Sequence, residues 1–115
     1  MSFLKGKFIT LGVTGSIAAY KAVELASKLT QLKCEVDVVM TESAKHFLTP
    51  LTFNSITHRP VSIDLFDSNS EFSMDHVLLA KRSEAIIVYP ATANIIAKIA
   101  HRFSDDILTA TILAT

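Results

Sequence analysis

The stretch Phe8-Ile9-Thr10-Leu11-Gly12-Val13-Thr14-Gly15-Ser16-Ile17-Ala18-Ala19-Tyr20-Lys21 carries an apolar run through glycine and hydroxyl residues into alanines. Phe8 to Val13, ended by turn residues, reads as a buried strand. From Ala18 to Leu32 apolar residues recur at helical spacing (Ala22, Val23, Leu25, Ala26, Leu29, Leu32), with Lys21, Glu24, Lys28 and Lys33 mostly outside that stripe. A strand that turns this way into a helix opens a parallel α/β sheet. It is also a place where backbone N–H groups can receive a phosphate.

The pattern then repeats along the chain. Glu35 to Met40 (EVDVVM) is a second strand, and Thr41 is placed to cap a helix whose first turn holds Glu42. Pro50 and Pro60 punctuate a helix-and-turn region from Leu51 to Arg59, followed by a short strand at Val61 to Leu65. Asp67 to Asp75 is polar and loop-like, and His76 opens a helical stretch. Ala85 to Tyr89 (AIIVY) is apolar on both faces, which predicts a central parallel strand. Pro90 ends it, Ala91 to Asn94 form a loop, and Ile95 to Ala100 form a helix. A last helix spans Asp105 to Ala114 with Ser104 or Asp105 as its cap. Right-handed crossovers favour the strand order 3-2-1-4, which sets the loops Thr14 to Ile17 and Pro90 to Asn94 side by side at the switch point.

These 115 residues suffice for one domain. Eleven basic residues balance eleven acidic ones without forming a stripe, which argues against nucleic acid and anionic membrane as partners. Cys34 is the sole cysteine, so there is no internal disulfide, and a reducing, cytoplasmic compartment is the simplest expectation. Metal-ligand spacings of cysteine and histidine are absent, and no apolar run approaches the about 20 residues of a membrane span. The apolar stretch after Lys5 and Lys7 is too interrupted by Thr10, Gly12, Thr14, Gly15 and Ser16 for an export signal.

The opening turn matches neither G-x-x-x-x-G-K-[ST] nor G-x-G-x-x-G. It nevertheless holds what one phosphate needs: Gly15 for a tight turn, Ser16 for a hydroxyl and an N–H, and a helix amino terminus. An ordinary strand-to-helix turn has the same spacing, and periodicity does not choose between them. In the second loop small residues admit a flat ligand, while Thr92 and Asn94 offer hydrogen bonds or a helix cap.

Taken in order, GVTGSIAAYK, TESAKHF, MDHVLLAK, PATAN and AKIAHRFSDDILTATILAT resemble the flavin-containing cysteine decarboxylases over nearly the whole chain. The resemblance implies a Rossmann-like, flavoprotein-type, doubly wound parallel sheet over residues 1–115, a homo-oligomer of trimers or multiples of trimers, and FMN at subunit interfaces. Gly15, Ser16 and Ile17 would meet the flavin or its phosphate tail, with Thr41 and Phe47 near it. Pro90, Ala91, Thr92, Ala93 and Asn94 stand where the family has P-A-S-A-N. His76 aligns with the catalytic histidine, whose ordinary pKa of about 6.5 suits acid–base work. The implied chemistry is removal of a hydride equivalent from a cysteine side chain, giving a thioaldehyde that loses its carboxylate as carbon dioxide and leaves an enethiolate. The substrate most strongly implied is phosphopantothenoylcysteine of coenzyme A biosynthesis; a peptidyl cysteine of lantibiotic type is the related choice.

The other histidines, His46, His58 and His101, read as surface or packing residues, and Cys34 as a small buried hydrophobe. Asp105 and Asp106 read as helix-start charges whose side chains diverge. The family continues into a further strand, a P-x-M-N-x-x-M-W clamp and a flap cysteine, none of which precedes Thr115. The expectation is therefore an incomplete domain lacking its C-terminal strands, or an edge covered by another chain. His101 and Arg102 replace the asparagine and glycine of A-N-G-I, which predicts a longer or less tightly capped loop there. A non-catalytic FMN-binding or regulatory subunit, and a dinucleotide module using Glu42 for a ribose, remain as alternatives.

Overall fold

The structure is a computed structural model that describes residues 4–63, 76–102 and 104–114, without the side chains of His76, Val77 and Ile107. Four strands, β1 (Phe8–Val13), β2 (Glu35–Met40), β3 (Val61–Ser62) and β4 (Ala85–Val88), form one parallel sheet in the order β3-β2-β1-β4. Among the described residues α1 (Tyr20–Gln31), α2 (Pro50–Thr57) and α3 (His76–Arg82) lie between successive strands, and α4 (Ala93–Ala100) and α5 (Ile107–Ala114) follow β4. Tight 3-10 turns at Ile17–Ala19 and Glu42–His46 follow β1 and β2. The expected topology is the observed one, as are the bounds of β1 and β2. The polar stretch Asp67 to Asp75 and the end of the third expected strand lie outside the described residues.

The period of two along β1 and β2 separates two layers. Ile9, Leu11 and Val13 with Val36, Val38 and Met40 face α1 and α2, where Ala22, Ala26 and Phe53 complete an apolar core. The alternate positions, Thr10, Gly12, Thr14, Asp37 and Val39, face the other layer. There Val39 packs with Leu79 of α3, Ile95 of α4 and Leu108 of α5. Gly12 is needed for that packing, since a β-carbon there would sit 2.4 Å from Leu108 Cδ1. Cys34 is buried, with its thiol 3.5 Å from the Leu4 carbonyl, as expected of a small hydrophobe.

Two details differ from the sequence expectation. AIIVY predicts a central strand, yet among the described residues β4 pairs only with β1 and is exposed to half-buried along its length. Beside it Ile86, Val88, Ile99 and Ile112 line an open groove. The helix break at His101 and Arg102 is closed without a glycine. Arg102 itself takes the left-handed conformation (φ 59°), and its N–H reaches the Ile99 carbonyl at 3.2 Å. Lys33 does the same after α1 (φ 68°), completing a Schellman pair with Lys33 N–H to Thr30 O at 2.9 Å and Cys34 N–H to Leu29 O at 3.1 Å. A side chain in this region is disfavoured, so Arg102→Gly and Lys33→Gly are each expected to raise stability by about 0.5–1 kcal/mol, net of the unfolded-state entropy glycine adds. Chemical denaturation of either variant checks this, and an unchanged or lower midpoint contradicts it.

At the opposite end of the sheet from the glycine turn, Glu84 fastens β4 to β1. Its carboxylate accepts the Phe8 N–H at 2.9 Å and pairs with Lys7 at 3.3 Å. The Phe8 bond, reinforced by Lys7, holds the Glu84 carboxyl below its ordinary range. A carboxyl depressed in the folded state stabilises it above the unfolded value of about 4.3, and that contribution fades as pH falls through the lowered value. Glu84→Gln is therefore expected to be less stable near neutrality and to lose less on acidification to pH 3. Urea midpoints at the two pH values test it; parallel losses in both proteins would remove Glu84 from the acid response.

Candidate functional site

The carboxyl ends of β1, β2 and β4 converge on a crevice of about 280 Å3. Its upper rim is built by a close approach of the first two loops. A β-carbon on Gly15 would lie 2.6–2.7 Å from the Ser43 Oγ, Cβ and backbone carbon. Gly15 is thus required by contact with the second loop rather than by a left-handed turn. Thr41 N–H donates to the Val13 carbonyl at 3.0 Å, and the Thr41 and Ser43 hydroxyls stand 3.1 Å apart. On the other side the Thr14 hydroxyl donates to the Pro90 carbonyl, joining the first loop to the fourth; the Tyr89–Pro90 bond is cis.

Three of the site hydroxyls are helix caps. Ser16 Oγ accepts from Ala18 N–H, Thr41 Oγ1 from Ala44 N–H, and Thr92 Oγ1 from Ile95 N–H, at 3.2, 3.3 and 3.2 Å. A capping oxygen that accepts keeps its own proton to donate. Capping and ligand binding, which competed in the sequence, are therefore compatible at Thr92. The amino terminus of α4, two turns long, adds its partial positive charge nearby.

The expected residues divide by position. Thr41, Thr92 and Asn94 line the crevice itself. Ala93 and Asn94 belong to the first turn of α4 rather than to the loop, because Thr92 caps the helix two residues earlier than the apolar pattern suggests. Gly15 supports the rim from below. Ile17 and Phe47 are exposed apolar side chains on the flanking turns, 84% and 50% accessible. Pro90 and Ala91 lead into α4, and the side chain of His76, first residue of α3, lies outside the described set. His46, His58 and His101 are exposed.

Sequence reasoning passed over Ser43 and Lys98, which also line the crevice. Lys98 Nζ lies 3.2 Å from Asp105 and 3.5 Å from Asp106. Those two carboxylates, expected to diverge, converge on one ammonium, because α5 begins at Ile107 and both precede it. Asp106, rather than Ser104 or Asp105, caps α5: its carboxylate accepts Thr109 N–H at 2.7 Å and the Thr109 hydroxyl at 2.8 Å. Partial burial acts to lower the Lys98 pKa, but the hydrogen bond to Asp105 and the charges of both aspartates outweigh it, so the value is raised and the ammonium persists. The spacing Lys98-x6-Asp105-Asp106 was the available signal.

Among the described residues no helix is long and apolar enough to cross a membrane. A sequence model of the family described as Flavoprotein matches residues 2–115. The coenzyme A biosynthesis bifunctional protein CoaBC of Vibrio vulnificus is 48% identical over 115 residues, all of this chain and 29% of that protein. The chain thus spans less than a third of the length of that curated relative. Among solved structures, the FMN-dependent cysteine decarboxylase SpaF superposes with a TM-score of 0.86 at 32% identity, covering 97% of this chain and 65% of its own. A C175S mutant of PPC decarboxylase, complexed with pantothenoylaminoethenethiol, gives 0.77 at 29% identity, covering 96% and 61%. With the doubly wound sheet, the switch-point crevice and a match over all but the first residue, the chain belongs to the Flavoprotein family.

Proposed function

We propose that residues 1–115 form the amino-terminal part of an FMN-binding domain that decarboxylates a cysteine-derived carboxylate, with phosphopantothenoylcysteine as substrate and phosphopantetheine as product. The observation that carries this reading is the donor set of the crevice. Hydroxyls of Thr41, Ser43 and Thr92, the Asn94 amide and a helix amino terminus suit a single phosphate monoester, beside the Lys98 ammonium that Asp105 and Asp106 share and the Glu42 carboxylate that Lys45 pairs. At about 280 Å3 the crevice is below the roughly 300–1,000 Å3 of whole-ligand pockets, which fits the tail of FMN better than the entire molecule. Gly15, Ser16 and Ile17 would border the tail, and Phe47 with Pro90, Ala91 and Ala93 would border the ring system. When bound, FMN would supply the two-electron oxidation that makes loss of the carboxylate possible and would return the same two electrons to the decarboxylated product, as a phosphopantetheine product requires. His76 holds or moves the proton at the reacting group. A homotrimer, or a multiple of trimers, in the cytoplasm completes the proposal.

The purified protein is expected to show flavin absorption, or to acquire it with added FMN, and to release carbon dioxide from phosphopantothenoylcysteine faster than from a peptide ending in cysteine. His76→Asn is expected to retain the flavin spectrum and lose turnover. A colourless protein that cannot be reconstituted overturns the cofactor reading, and undiminished turnover in His76→Asn removes that residue from the chemistry.

A further inference from the structure

We propose that Lys98 selects ligands bearing a phosphate monoester, exchanging its bond to Asp105 for one to the phosphate. The inference rests on the reading of the crevice as a phosphate site. Lys98 is the one cationic side chain lining the crevice among the described residues, and it stands two turns into α4, the helix that Thr92 caps. Three carboxylates share the lining with it, and their obligations differ. Glu42, on the rim, pairs with Lys45 at 3.5 Å. Asp106 is committed to α5, where it accepts both the N–H and the hydroxyl of Thr109. Asp105 is largely exposed and pairs with Lys98 alone among the described contacts. An ammonium has three protons, and a carboxylate that is wet and otherwise unengaged is the partner most easily traded.

Exchange leaves every group satisfied. Asp105 turns into water at little cost because it is already exposed. Asp106 stays on Lys98 and on the helix cap, so the ammonium remains oriented while one proton is freed for a phosphate oxygen. A ligand ending in a neutral alcohol cannot draw Lys98 from Asp105. The device therefore discriminates phosphorylated ligands from their alcohols.

The test compares FMN with riboflavin by fluorescence quenching in wild-type protein, Lys98→Met, Lys98→Arg and Asp105→Asn. Methionine keeps the apolar stem and removes the charge. Loss of one charge-assisted bond weakens FMN roughly tenfold to hundredfold. Lys98→Met should do so while leaving riboflavin affinity unchanged; Lys98→Arg should recover part of the loss, and Asp105→Asn should tighten FMN without affecting riboflavin. A second arm compares KM for phosphopantothenoylcysteine and its dephosphorylated form. A rise confined to the phosphorylated substrate in Lys98→Met, with FMN affinity intact, would assign the exchange to the substrate's phosphate. Equal losses for phosphorylated and unphosphorylated ligands in both arms, or no loss in either, overturn the proposal. Failure of wild-type protein to bind any flavin overturns the cofactor reading instead, and equilibrium binding of phosphopantothenoylcysteine and its dephosphorylated form to wild type and Lys98→Met then decides Lys98: an equal or absent loss for the two ligands rejects the exchange. If Lys98→Met does not fold, the Asp105→Asn and Lys98→Arg affinities decide: no change in the FMN-to-riboflavin ratio in either rejects the exchange.

Discussion

Gly15→Ala is expected to destabilise the protein by about 1–3 kcal/mol and to weaken FMN binding by more than about tenfold. The added carbon would lie 2.7 Å from the Ser43 backbone carbon, a distance no ordinary non-bonded contact tolerates. Backbone cannot rotate away as a side-chain tip can, so the whole turn beginning at Thr41 must retreat. That turn carries the Thr41 and Ser43 hydroxyls, and its first hydrogen bond, Thr41 N–H to Val13 O, would stretch with it. Gly12→Ala is the control. Its new carbon would meet only side-chain atoms, Cδ1, Cδ2 and Cγ of Leu108, which a change of rotamer can move, so a smaller loss and near-normal flavin affinity are expected. Urea unfolding and flavin titration of both variants check the contrast. Wild-type flavin affinity in Gly15→Ala would show that the loop approach is incidental to the site.

Asp37→Ala is the second large effect, expected to cost about 2–3 kcal/mol, below the full penalty of a broken buried pair because its partners are partly solvated. Asp37 is buried in β2, on the layer facing α3 and α5. Arg59 Nε reaches it at 2.9 Å and Arg82 at 2.6 Å, while Arg59 also holds Glu35 at 2.9 Å. Both guanidiniums lie over the Phe8 ring, 5.8 and 5.1 Å from its centre. Without Asp37 the two cations over that ring lose their shared counter-charge, and the Arg82 Nε is already without a hydrogen-bond partner among the described residues. Adding Arg82→Met to Asp37→Ala should recover part of the loss, since it removes one unpaired cation. A double variant as unstable as the sum of its parts would show that the three residues act independently.

The elements whose side-chain period is unambiguous were legible from sequence. β1 and β2 alternate cleanly against a helical stripe, and the order 3-2-1-4 follows from handedness once strands and helices are assigned. Thr41 and Thr92 could be named because threonine before a helical run has a mechanical meaning. The reason for Gly15 was not legible, because the neighbour that excludes a side chain, Ser43, belongs to another loop. Lys98 was passed over for a related reason: its partners lie beyond a helix break, where Arg102 adopts a conformation usually given to glycine, so the spacing alone did not bring them together. The Asp37 cluster also escaped notice, since one aspartate in an apolar strand reveals nothing about arginines more than twenty residues away.

The seat of Leu108 on Gly12 has a consequence for the order of events during synthesis. Within this segment β1 leaves the ribosome well before the side chain that covers it. Until the segment from Asp105 onward arrives, Lys98 lacks the two carboxylates that hold it in the finished crevice. A contact this remote in sequence forms late and closes a long loop. Nascent chains halted before Asp105 should therefore hold the first strands without a finished crevice, and flavin capture becomes a marker for the moment the far end of this segment folds back onto its beginning.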